Sequence, residues 1–256
     1  MRVYSYQLGS SQSFGQDPQY FPYNVLGEIC TSATPTNPCA DPCQVVSLGK
    51  GGFIALEFDP PIADGPGPDF TVFENPFRYG SGQVFDEWMI VSVSQDGINW
   101  VVFPFDSITG QGLAGRTPTG CMGCSGPINW QDPSQSGGDA FDLSVVGLAW
   151  AKYVRVTDAT SWQPPDRLSA DLDGIVAIHQ LSSNSLAYQI GPTGVTIRSL
   201  VQPLFEAWNL LGQPISAEVR EIGEGTWIIR PFGPAVVRIY TPTGMQQVKG
   251  FFAPMD

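Results

Sequence analysis

The chain of 256 residues carries 24 Asp and Glu against 12 Lys and Arg, a net charge of −12 at pH 7, with 42% hydrophobic and 12% aromatic residues. So acidic a surface repels phosphate backbones and anionic headgroups, which argues against nucleic acid and membrane surfaces as partners and suits divalent cations. The apolar content argues against a disordered chain, and no apolar run approaches the roughly 18–20 residues of a membrane span, so no membrane insertion is expected.

Gly (29 residues) and Pro (23 residues) are frequent enough to punctuate a turn-rich β protein. The opening MRVYSYQLG has no basic stretch followed by an apolar run, so no signal peptide is read there. Residues 3–26 are polar and aromatic, and 27–44 form a Thr/Pro/Cys loop. Strand patterns follow at 53–58, 70–73, 88–94, 100–103, 153–156 and 175–179. Turn clusters such as Asp64-Gly65-Pro66-Gly67 and Gln95-Asp96-Gly97 separate them. In VSVSQDGINW the small and β-branched residues alternate, Asp-Gly turns the chain, and Trp100 begins the return, which predicts a hairpin. Residues 106–138 have no periodicity and are too long for a plain connection, so they form a candidate binding or crosslinking loop. After a polar link at 180–185, residues 186–256 read as a second, smaller β module. Its strands lie in ISAEVREI, TWIIRPF, AVVRIYTPTG and MQQVKGFF, with a helical reading confined to 201–211. The domain division is therefore 1–180 and 186–256.

Four segments carry a resemblance: VSLGKGGFIALEFDPPIADGPGPDFTVFEN (46–75), VSVSQDGINW, AKYVRV and DLDGIVAI. In this order they resemble the galactose-binding-like domain, of discoidin and carbohydrate-binding-module type, found in secreted bacterial cell-surface proteins. VRIYTPTGMQQV near the end resembles the last hairpin of type IX secretion sorting domains, although the Pro-Asn-Pro entry common there is missing. The resemblance implies an all-β chain: a jelly-roll β-sandwich followed by a smaller β-sandwich-like domain, at an extracellular, cell-surface location. It also implies a disulfide between Cys43, which lies just before the SLG motif, and Cys124 of a Cys-Ser-Gly unit.

Five cysteines, Cys30, Cys39, Cys43, Cys121 and Cys124, all sit in loop sequence. The CxxxC and CxxC pairs at Cys39/Cys43 and Cys121/Cys124 have ligands enough for tetrahedral zinc; disulfides are the alternative, and the odd count then leaves one thiol over. His179 is the single histidine, at the end of the last strand pattern of the first domain, where a structural role is the common one. No nucleophile elbow, phosphate loop or HExxH motif occurs, and the expectation is a protein without enzymatic activity.

The acidic residues at strand ends are the candidate metal site. Glu74 closes one strand and Glu87 opens another, while Asp158 and Asp171 bracket the loop 159–170. In the resembling fold the last strand runs antiparallel beside the strand ending at Glu74, which brings both pairs together. The expected ligand set is Glu74, Glu87, Asp158, Asp171 and Asp173; oxygen ligands alone point to calcium. The alternative is that these carboxylates cap turns, with Arg155 and Arg167 as partners. Trp130 and Trp162 lie in polar, Pro-rich loops and are the candidates for stacking on a sugar ring. The reading is a secreted recognition or attachment protein whose partner is a glycan or cell-surface polymer. Its rival is a self-assembling subunit of an extracellular filament, surface layer or virion.

Overall fold

The computed structural model describes residues 1–120, 126–181, 188–191, 194–198, 204–223, 226–231, 235–241 and 244–250. In the first part of the chain the strands are β1 (Arg2–Gln7), β2 (Val46–Ser47), β3 (Phe53–Ala63), β4 (Phe70–Phe73), β5 (Phe77–Tyr79) and β6 (Gln83–Phe85). They are followed by β7 (Met89–Ser94), β8 (Val101–Val102), β9 (Asp139–Phe141), β10 (Trp150–Asp158), β11 (Asp171–Leu172) and β12 (Gly174–Ala177). A five-stranded antiparallel sheet has the order β1-β3-β10-β7-β8. Opposing it in the core are the sheets β12-β4-β9 and β11-β2.

Alternation decides which side chains enter that core. Ile54, Leu56 and Phe58 of β3, Val154 and Val156 of β10, and Met89, Val91 and Val93 of β7 come from the large sheet. Phe70, Val72, Phe141, Ile175, Val46 and Leu172 come from the smaller ones. Phe70, Phe103 and Phe141 form an aromatic trio with ring centroids 4.9, 5.4 and 5.9 Å apart. The expected antiparallel neighbour of the strand ending at Glu74 is present: β12 pairs with β4, Gly174 opposite Phe73.

The hairpin at Asp96-Gly97 forms as the turn chemistry requires. Ser92 pairs with Val102 and Val93 with Val101, so the return strand starts at Val101 rather than Trp100. Asp96 Oδ1 accepts the N–H groups of Ile98 and Asn99 and the Ser94 hydroxyl, and Gly97 takes φ +76°. Partial burial opposes ionisation of Asp96, but those bonds outweigh it and hold the carboxyl at about 2. Among the described residues of the loop 106–138 the one regular element is the short helix Pro133–Ser136, N-capped by Asp132.

The chain divides into two units, Met1–His179 and Gln180–Asp256. In the second, strands β13 (Tyr188–Gly191), β14 (Gly194–Arg198), β15 (Leu204–Asn209) and β16 (Ala217–Gly223) are followed by β17 (Thr226–Pro231), β18 (Ala235–Thr241) and β19 (Gly244–Gly250). They make two antiparallel sheets, β13-β14-β17-β16 and β15-β18-β19. Val195 and Ile229 of the first sheet and Ala207, Ala235, Val237 and Ile239 of the second share one core. The helical reading of 201–211 is overturned: Leu204–Asn209 is a strand paired along its length with β18. A segment as short as 201–211 is marginal as a helix on its own, below about 12–15 residues, and alternation places Phe205 and Ala207 on the core.

Candidate cation and ligand site

Four of the five acidic residues expected to act together are linked through the backbone of residues 168–171, to which Glu87, Asp158 and Glu74 bond and in which Asp171 lies. The chain leaves β4 at Glu74 and re-enters at β11 with Asp171, whose N–H donates to Glu74 Oε1 at 2.8 Å. Asp158 ends β10; its carboxylate accepts from the N–H groups of Gly51 (3.0 Å) and Ala170 (2.8 Å) and from the Thr160 hydroxyl. Glu87, just before β7, accepts from the N–H groups of Leu168 (2.8 Å) and Ser169 (3.0 Å) through Oε1 alone. Asp171 Oδ1 takes the Ser47 hydroxyl at 2.5 Å.

The electrostatics of this box are unfavourable without a counter-charge. Burial pushes the Glu74 carboxyl well above the usual carboxylate range, and the charges of Asp171 and Glu87 add to it. Burial, reinforced by Asp171 and Asp158, lifts Glu87 to about 7 against its two N–H bonds. Burial and the Asp158 charge lift Asp171 to about 6 against the Ser47 bond. Among the described residues no Lys or Arg pairs with the four. Arg167 lies over the Phe85 ring at 3.9 Å and bonds Asp86 and Asp166. Arg155 stacks on Trp100 at 4.4 Å.

The donor atoms are of the type a hard divalent cation takes, although no three of these four carboxylates come within 4.8 Å of one another. Glu74 is buried, and its Oε2 has no hydrogen-bond partner; an orphaned, buried carboxylate oxygen is costly unless something positive meets it. All donors are oxygens, the calcium pattern. Among the described residues, three carboxylates come within 4.8 Å of one another only at Asp64, Asp69 and Asp142. A cation in the Glu74 box therefore takes at most two of its carboxylates directly in this geometry, the rest acting through water or charge alone.

The Asp64–Asp69–Asp142 group was not singled out in the sequence, where DGPGPD reads as a turn. Asp69 is fully buried, and its oxygens are committed to the Gly65 and Leu143 N–H groups, both at 2.7 Å, and to His179 Nδ1 at 2.8 Å. It organises the turn. The His179 ring lies against Gly65, where a side-chain methyl would overlap it. Among the described residues no hydroxyl or thiol touches that ring, so the single histidine has a structural partner.

Asp173 does not join the box. Both its oxygens accept from the Cys30 N–H, at 3.2 and 3.1 Å, and burial raises it to about 7. That bond anchors the loop closed by the disulfide the structure forms, Cys30–Cys39. Cys39 is thus removed from the expected zinc set. Cys43 is exposed and free; its expected partner Cys124, like Cys121, lies outside the described residues.

The two candidate tryptophans differ. Trp130 is half-buried, edge-on to Phe73 at 5.6 Å, in the wall of a groove of about 500 Å³ with Ile29, Pro127 and Val176. Trp162 is 46% exposed and stacks on Phe105, which is 36% exposed, with centroids 5.5 Å apart and planes within 23°. Phe105 carries no sequence signal that separates it from a core phenylalanine; only the stacking reveals it. No family model, curated protein or solved structure matches the chain. Among the described residues no helix is long and apolar enough to cross a membrane.

Proposed function

We propose that this is an extracellular, cell-surface recognition protein that binds glycan through its first unit, stabilised by a calcium ion in the Glu74–Glu87–Asp158–Asp171 box, and that acts by binding rather than by catalysis. The observation that carries the reading is the orphaned Oε2 of buried Glu74 near three further carboxylates that have no basic partner among the described residues. The same box fastens the loop bearing an exposed tryptophan. Calcium would supply charge neutralisation there; the chain's own contribution is to hold the oxygens and, through their N–H bonds, the loop. The disulfide agrees with an oxidising compartment, and the segments quoted from 46–75 onward support the galactose-binding-like comparison.

The test is a broad glycan array probed with the full chain in calcium and in EDTA. Binding to one glycan class that is lost in EDTA supports the reading. No binding in either buffer, with a large concentration-dependent species in light scattering, moves the assignment to the self-assembling subunit.

A further inference from the structure

We propose that Arg155, held beside Trp100 and Phe53 on the outer face of the five-stranded sheet, is a binding site for the carboxylate group of a small acid. The inference goes beyond the recognition reading and needs neither the carboxylate box nor calcium.

Val154 and Val156 enter the core, so alternation places Arg155 on the opposite face of β10. The register sets Ala55 of β3 on one side of it and Ser92 of β7 on the other, with Ser5 of β1 beyond Ala55. Arg155 thus stands among small side chains and remains partly exposed. Its guanidinium lies over the Trp100 ring at 4.4 Å and 5.9 Å from the Phe53 centroid. Trp100 is fixed in turn: its indole N–H donates to the Gly97 carbonyl at 3.2 Å, and its ring packs beside Tyr153.

Arg155 Nε donates to the hydroxyl of buried Ser92 at 3.2 Å. Among the described residues the Nη1–Nη2 edge makes no hydrogen bond and no carboxylate pairs with the group. Other cations are matched: Arg2 and Lys152 pair with Glu57, and Arg167 with Asp86 and Asp166. Burial lowers the Arg155 pKa and no neighbouring carboxylate raises it; the guanidinium stays charged all the same. Packing against rings needs no charge, and an apolar side chain would fill this place without desolvating one. What the guanidinium adds is a fork of two parallel N–H groups that matches the two oxygens of a carboxylate. Ser92 and Trp100 orient that fork in advance, which lowers the ordering cost of binding. A single fork takes a single charge, and the net charge of −12 repels a doubly charged phosphate or a polyanion more strongly than a monocarboxylate.

The experiment follows the Arg155 Nε–H and Trp100 indole N–H signals of the full chain by NMR in a buffer free of carboxylates. Acetate, galacturonate, the methyl ester of galacturonate and inorganic phosphate are added in turn. Saturable shifts of both signals with the two acids, absent with the ester, support the proposal. Tighter binding of galacturonate assigns an acidic sugar as the source of the carboxylate, and equal binding of acetate assigns the carboxylate alone; either supports the site. Arg155→Lys keeps the charge but not the fork and should bind at least tenfold more weakly. Arg155→Gln should not bind, with the Trp130 and Trp162 indole signals unmoved as the sign of an intact fold. If Arg155→Gln does not fold, the acid-against-ester comparison on the wild type and the lysine variant still decide. Unmoved signals with both acids, equal shifts with the ester, or binding retained by Arg155→Gln overturn the site. Phosphate bound as tightly as acetate overturns the carboxylate assignment.

Discussion

Replacing Glu74 by Gln should flatten the pH dependence of stability in the absence of calcium. Glu87 moves from 4.5 to about 7 on folding and Asp171 from 3.8 to about 6, while Glu74 moves upward with them. A carboxyl raised in the folded state contributes its full stability below its unfolded value and loses it as pH climbs through the folded one. The window therefore runs from about pH 4 to about pH 7. At about 1.4 kcal/mol per pH unit, each of Glu87 and Asp171 alone would cost about 3 kcal/mol. Partial exposure and mutual coupling bring the pair together to about 3 kcal/mol. Gln keeps the bond from the Asp171 N–H, removes one charge from the box and gives the orphaned position a donor. Urea titrations of the full chain in EDTA at pH 4 and pH 8 should find the wild type at least about 3 kcal/mol weaker at pH 8, and Glu74→Gln losing less, by the share that the upward shift of Glu74 itself contributes. Calcium should restore the wild type at pH 8 and do little for the variant. A wild type equally stable at both pH values, or a variant as steep as the wild type, refutes the strained box.

Phe70→Ala opens the aromatic trio with Phe103 and Phe141 and should cost about 3–5 kcal/mol by chemical denaturation. Replacing Cys30 and Cys39 by Ser frees a loop of sequence separation 9 and should cost about 2–3 kcal/mol, with the melting point of the untreated wild type falling toward the variant's on reduction. Asp96→Ala removes the turn acceptor held at about 2; being exposed, it should cost about 1 kcal/mol at pH 7, and the deficit should shrink as pH falls from about 4 toward 2. Gly65→Ala drives a methyl into the His179 ring; it should displace the imidazole from Asp69, read as a loss of its NMR contact to that loop, and lower the melting temperature.

What the sequence determined by itself is local. Alternation and turn residues placed the strands around 53–58, 70–73 and 88–94, and Asp96-Gly97 set its hairpin, because backbone and side-chain preferences there need no distant partner. Acidic residues at strand ends were visible as a pattern, yet their meeting depends on β12 lying beside β4, a contact roughly a hundred residues apart in the chain. Tertiary structure alone decided the rest. The Cys30 N–H drew Asp173 out of the box, sheet pairing turned 204–209 into a strand, and proximity joined Cys30 to Cys39. Of two tryptophans in similar Pro-rich loops, packing on Phe73 half-buried one and stacking on Phe105 left the other facing water. Burial and charge are properties of what surrounds a side chain, and for these residues the surroundings come from distant parts of the chain.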